Sequence, residues 1–186
     1  SLSRLKVDYV DMLHVHWPST EGVPLAETMQ ALAQAKRDGY TRHVGVANFN
    51  IALLEEAIRL CPEPIVTLQA EYHPYLDQAK VLAACRRLGV IFTAYCPLGR
   101  GKMLSDPVLA DIAKAKGKSI AQVALRWSIQ QGDIIPIPRS SNPGRIAENL
   151  QVFDFALSDE EMRRISALKR PDGRIANPEG RAPDWD

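Results

Sequence analysis

Five short β-prone runs and the helical stretches between them follow one another in single file along the chain. That alternation constrains the fold more than any other feature. A strand that must be followed by a helix before the next strand can only pair in parallel, through a crossover. The runs are Tyr9–His16, Val44–Val46, Ile65–Ala70, Val90–Ala94 and Ile134–Ile137. The fourth is almost continuously apolar, as a strand covered on both faces must be. Two architectures fit, a (β/α)8 barrel and an open doubly wound sheet. No GxGxxG follows any of the runs, so the open dinucleotide-binding sheet lacks its usual signature and the barrel is the expected fold. The runs close on, or run directly into, His16, Asn48, Gln69, Tyr95 and Arg139, and functional groups at successive strand ends describe one rim of such a barrel.

Local signals place the helices. Leu25, Met29 and Leu32 share a face over Leu25–Asp38, with Pro24 in the first turn and Gly39 as the stop. Asn50 caps a helix carrying Ile51, Leu54 and Ile58 that ends near Pro62. Asp77 opens one with Val81, Cys85 and Leu88 on one side, and Asp106-Pro107 opens another. Ser119-x-x-Gln122 is a capping box before a helix ending near Trp127. A further helix spans Pro143–Leu150, and Ser158-x-x-Glu161 begins the last. Ser1–Leu5 reads as the end of an amphipathic helix, while Arg170–Asp186 is rich in Pro and Gly and is expected to be irregular.

With 186 residues the chain is long enough for one domain with a substantial core. The 23 basic side chains are balanced by 22 acidic ones, which argues against a basic surface for nucleic acid. No apolar run approaches the roughly 18 residues a membrane span needs. Cys61, Cys85 and Cys96 are odd in number and show no CxxC spacing, so they read as reduced thiols in a cytoplasmic protein with no metal site. A metal-dependent hydrolase would need His, Asp or Glu ligands at several strand ends, and only His16 qualifies.

The segments HVHWP, GVANFN, LQAEYHPYL, AYCPLGRG and IPIPRSSNPGRIAENL resemble the aldo-keto reductase family in order and spacing, over the whole chain. The resemblance implies a (β/α)8 barrel that reduces aldehydes or ketones with NADPH. His16 resembles the family's catalytic histidine, and an imidazole there can hydrogen-bond the substrate carbonyl oxygen. Trp17 resembles a wall of the substrate pocket. Asn48 and Gln69 resemble the pair that binds the nicotinamide carboxamide, although Ala47 stands where the family commonly has Ser. Tyr95 resembles the aromatic residue stacked on the nicotinamide ring, with Cys96 replacing a family Ser beside it. Leu98, with Gly99 and Gly101, resembles a loop over the pyrophosphate.

Arg139, Ser140, Ser141, Asn142 and Arg145 gather guanidiniums and hydroxyls at a strand-to-helix junction that already favours an anion. They resemble the site for the adenosine 2′-phosphate, which implies NADPH (NADP+) over NADH. Lys is frequent in the family at the position of Arg139, so geometry there can differ. Glu148 and Asn149 resemble adenine contacts. His14, His43 and His73 keep a structural reading.

The family's proton donor is a tyrosine assisted by an aspartate and a lysine, all upstream of the histidine. Tyr72, Tyr75 and Lys80 lie downstream and do not fill those roles. Residues 1–186 are therefore expected to be the C-terminal part of a single barrel domain, with about five of eight βα units and residues 170–186 as its tail. Such a chain supplies the cofactor site and His16 but is expected to be inactive alone, with open sheet edges and uncovered apolar surface. HWP, SSNP and PDGR look closest to bacterial diketogluconate reductases. An NADPH-binding regulatory or inactive barrel relative is the alternative. A small carbonyl compound is the expected partner, without nucleic acid or membrane, and the intact protein is expected to be a monomer or weak dimer.

Overall fold

The computed structural model describes all residues, Ser1–Asp186. After a single helical turn, α1 (Leu2–Leu5), the chain runs β1 (Val10–Val15), α2 (Leu25–Arg37), β2 (Thr41–Ala47), α3 (Ile51–Leu60), β3 (Ile65–Glu71), α4 (Ala79–Leu88) and β4 (Ile91–Tyr95). A turn of 3-10 helix at Gly99–Gly101 leads to α5 (Pro107–Lys116) and α6 (Ile120–Gln130). β5 (Ile134–Pro136), α7 (Pro143–Leu150) and α8 (Asp159–Ser166) complete the order, and no helix or strand follows. The strands form one sheet in the order β1-β2-β3-β4-β5, so each lies beside its neighbour in sequence. β1 pairs in parallel with β2, and β2 with β3. No helix is long and apolar enough to cross a membrane.

Two compact units partition the chain. The first comprises Ser1–Ala70, Ala79–Phe92 and Asn177–Asp186, and the second Glu71–Gln78 and Thr93–Ala176. In the first, Met29, Phe49, Leu54, Leu68 and Phe92 are the largest fully buried apolar side chains. Each contributes roughly 2 kcal/mol by leaving water. In the second, Met103, Leu109, Ile112, Leu125 and Ile165 play that part.

Four of the caps are where the sequence placed them. The Asn50 side chain accepts from the Leu53 amide, and Asp106 accepts from those of Val108 and Leu109. Both capping boxes, at Ser119–Gln122 and Ser158–Glu161, are closed in both directions. Strand limits differ from the expected ones by one to three residues. β2 starts at Thr41 rather than Val44 because exposed Arg42 and His43 hide the strand from a hydrophobicity pattern, while Thr41 and His43 still pair with Val10 and Met12. β3 runs on to Glu71, a polar residue that is nevertheless buried. β5 stops at Pro136, yet the Ile137 amide still donates to the Ala94 carbonyl at 3.0 Å. β1 and β5 are the sheet's edges, and exposed large apolar side chains occur beside or on each of them, Tyr9 at one and Ile135 and Ile137 at the other.

α7 buries none of its residues, so packing does not hold it. Side-chain hydrogen bonds from α6 do. Gln122 closes the capping box of α6 and donates through Nε2 to the carbonyls of Glu148 and Gln151, at 3.1 and 3.0 Å. Arg126 donates to the Val152 carbonyl at 3.2 Å. Both donors of the Gln122 amide and its oxygen are thereby engaged.

The cysteines are all free thiols. Cys85, on α4, is buried, and burial pushes its thiol up to about 11. At pH 8 it carries almost no thiolate, the reactive form. Alkylation with iodoacetamide followed by peptide mass spectrometry is expected to label half-buried Cys61 and Cys96 well before Cys85.

Candidate functional site

In the first unit the strand ends are tied to one another. His16 follows β1 directly and is exposed. Its carbonyl accepts a hydrogen bond from Asn48 Nδ2 at 2.9 Å, and the Asn48 amide donates to the Gln69 carbonyl at 2.8 Å. Asn48 is 1% exposed and sits at φ 62°, a conformation asparagine tolerates better than most residues with a side chain. One amide hydrogen of Asn48 therefore fixes the backbone of His16. Gln69 is half-buried in β3, paired with Ala47.

Trp17 lies 6.3 Å from the His16 ring, at 38°, and meets the edge of Trp185 at 6.3 Å and 67°. Trp185 belongs to the last segment, which is held in place by the Asp184 carbonyl accepting from Asn50 Nδ2 and by the Asp186 carboxylate accepting from the Ile51 amide. His14 is bonded to Thr67 Oγ1 at 3.1 Å, and burial, then the charge of His16, lowers its pKa and favours the neutral ring. Gly45 makes that approach possible, since a Cβ there would fall 2.8 Å from His14 Cδ2 and from the Thr67 carbonyl oxygen.

The second unit holds a cavity of about 780 Å³, within the range typical of small-molecule and cofactor sites. Three places in the chain supply its walls. Leu98, Arg100 and Gly101 come from the loop after β4, Ser119 and Ala121 from the start of α6, and Arg139, Ser140, Arg145, Glu148 and Asn149 from the β5–α7 junction. The loop is tightly wound, with Cys96, Gly99, Arg100 and Gly101 all at positive φ. Three guanidiniums and the N-terminal end of α6 thus line one space. Unpaired N–H groups and the helix dipole there favour negative charge.

Leu98, Gly101, Arg139, Ser140, Arg145, Glu148 and Asn149, all singled out from sequence, meet in this cavity. Ser141 and Asn142 do not line it. The Asn142 side chain is engaged as the cap of α7, accepting from the Arg145 amide at 3.2 Å, and the Asn142 amide donates to Ser140 Oγ at 3.1 Å. Tyr95, which closes β4, is half-buried and also outside the lining. Burial, then the negative charge of Glu71, pushes its phenol well above the ordinary tyrosine range. Sequence reasoning passed over Arg100 and Ser119. Arg100 lay inside the PLGRG segment, and Ser119 was visible only as a cap, although a cap also marks an anion-friendly helix end.

Successive βα units whose strands lie side by side in sequence order are the arrangement of a (β/α) barrel. The family model of the aldo/keto reductase family matches residues 1–170, and the chain belongs to that family. It is 43% identical over 168 residues to an aldo-keto reductase of Mycobacterium sp. (strain MCS), covering 90% of this chain and 59% of that protein. It is 42% identical over 188 residues to methylglyoxal reductase DkgB of Escherichia coli O157:H7, covering 100% of this chain and 70% of that one. The chain thus spans 59% to 70% of such relatives' length. A crystal structure provisionally described as a 2,5-diketo-D-gluconic acid reductase B superposes with TM-score 0.97 at 49% identity, covering 100% of this chain and 66% of that one. A Gox0644 variant in complex with NADPH superposes with TM-score 0.89 at 34% identity, covering 95% and 65%. The fold is accordingly a partial parallel (β/α) barrel.

Proposed function

We propose that this chain supplies the cofactor site and the catalytic histidine of a cytoplasmic reductase that converts aldehydes or ketones to alcohols with NADPH. One observation carries the reading: the 780 Å³ cavity gathers Arg100, Arg139 and Arg145, the hydroxyls of Ser119 and Ser140, and the N-terminal end of α6. That donor set fits a ligand with several anionic groups, as a phosphorylated dinucleotide has. The NADPH-bound Gox0644 variant and the reductase name of DkgB support the same cofactor and reaction class.

Arg139, Ser140 and Arg145 hold the 2′-phosphate, with Ser141 and Asn142 shaping the turn between them. Glu148 and Asn149 contact the adenine, and the Leu98 loop lies along the pyrophosphate. Asn48 and Gln69 engage the carboxamide, and the Tyr95 ring stacks on the nicotinamide. When bound, the cofactor supplies a hydride to the carbonyl carbon. His16 donates a hydrogen bond to the carbonyl oxygen and stabilises the charge that develops there. Trp17 walls the substrate pocket. The proton comes from a tyrosine, with aspartate and lysine partners, contributed from outside these 186 residues.

The test is a fluorescence titration with NADPH, followed by cofactor oxidation with a panel of aldehydes and ketones in protein that carries the proton donor. Binding and turnover are both expected. Binding without turnover on any carbonyl would favour a regulatory relative, and absence of binding would overturn the reading.

A further inference from the structure

Glu71 is a carboxylate with no solvent exposure at the end of β3. Such a charge is costly unless several donors meet it. Three do. Oε1 accepts from His73 Nε2 at 2.9 Å and from the Ile175 amide at 2.8 Å, and Oε2 accepts from the Ala176 amide at 2.7 Å. An ionised carboxylate only accepts, so His73, itself fully buried, donates through Nε2. Gln78 Nε2 in turn holds the Glu71 carbonyl at 2.9 Å. Burial works to raise the carboxyl pKa, but the His73 bond and the two amides outweigh it and hold the group below the usual glutamate value.

The clamp fastens a segment that has no secondary structure of its own. Residues 170–176 follow α8 as irregular chain. The Arg170 amide donates to the Tyr75 carbonyl at 3.1 Å, and its guanidinium lies 4.2 Å over the Tyr75 ring. Gly173 crosses the same carbonyl so closely that a Cβ would fall 1.8 Å from the oxygen. Ile175 and His73 stand beside Gly99: a Cβ built there would lie 3.7 Å from Ile175 Cδ1 and 4.0 Å from His73 Cγ, with Met103 Cε nearer still at 3.0 Å. Gly99 sits between Leu98 and Arg100, two walls of the cofactor cavity. The residues clamped by Glu71 are therefore those that back the loop.

We propose that Glu71 is a positioning residue for the cofactor cavity: by gripping His73 and the Ile175–Ala176 backbone, it seats both against Gly99 and fixes the Leu98–Gly101 wall. The inference deepens the proposed cofactor role of that cavity and rests on it for its effect on affinity, but not for the mechanical coupling.

The experiment compares wild type, Glu71→Gln and Ile175→Ala. Glu71→Gln keeps the shape and removes the charge. It is expected to speed amide hydrogen exchange at residues 175–176 and also at residues 98–101, and to weaken NADPH binding about tenfold with little change in kcat at saturating cofactor. Ile175→Ala leaves the carboxylate clamp intact but removes the side chain that stands beside Gly99. It is expected to loosen residues 98–101 while 175–176 stay protected. If Glu71→Gln does not fold, Ile175→Ala decides the matter alone. Unchanged exchange at 98–101 in every folded variant would overturn the proposal. If wild type binds no NADPH, the cofactor reading fails, and the exchange data still decide whether the clamp supports the loop.

Discussion

Replacing Arg139 and Arg145 together by alanine is expected to weaken NADPH binding about a hundredfold and NADH binding by no more than about threefold. Hydrogen bonds from a guanidinium to a phosphate are among the stronger polar contacts, but both side chains are exposed and solvent screens them. About tenfold for each is therefore the reasonable scale. The difference between the cofactors is the informative part, because NADH lacks only the 2′-phosphate. Affinity for NADPH should also fall with rising salt in wild type, and fall less steeply in the double variant. Arg139→Lys keeps the charge and gives up the planar fork, so a loss of only a few-fold is expected. Fluorescence titrations of both cofactors at two ionic strengths read all of this. An equal loss for NADPH and NADH would move these guanidiniums away from the 2′-phosphate.

Much of the scaffold beneath that site was legible because its signals are local. A cap is decided within four residues, so Asn50, Asp106, Ser119 and Ser158 could be read one at a time and all accept the amides they were placed to accept, whereas Asn142, read as a phosphate contact, caps α7. Element order was legible for a similar reason, since apolar period and breakers are short-range properties. Strand limits were less so, because pairing can extend a strand through polar residues such as Arg42 and Glu71 whose side chains follow no simple alternation.

What stayed hidden depends on residues far apart in the chain. The bonds from Glu71 to Ile175 and Ala176 span more than a hundred positions, and nothing near Glu71 announces them. Gln122 reads as half of a capping box, yet it also fastens the end of α7, the helix that carries Arg145. Arg100 becomes a cavity residue only when the tightly wound loop turns it toward the β5–α7 junction. Asn48 was read as a ligand amide, and its bond to the His16 carbonyl adds a structural duty that no motif encodes.

That bond bears on the largest expected effect. His16→Ala should lower kcat by roughly 10²- to 10³-fold, the cost of losing one donor to a developing oxyanion, while leaving NADPH affinity unchanged. The imidazole is exposed, so its orientation depends on what fixes its backbone and its neighbours. Asn48 holds the carbonyl and Trp17 stands beside the ring, itself braced by Trp185. Asn48→Ala removes the tether without touching the imidazole. It should cost kcat less than His16→Ala does, about tenfold if misplacement by a fraction of an ångström is the cause. In the double variant Asn48→Ala/His16→Ala, the share of the Asn48 loss that comes from the tether should vanish, since a tether matters to turnover only while there is a ring to hold, and any loss beyond that of His16→Ala alone belongs to the proposed carboxamide contact. Additive losses would mean that Asn48 acts on the reaction independently of His16, and an unchanged kcat in His16→Ala would remove the histidine from the chemistry.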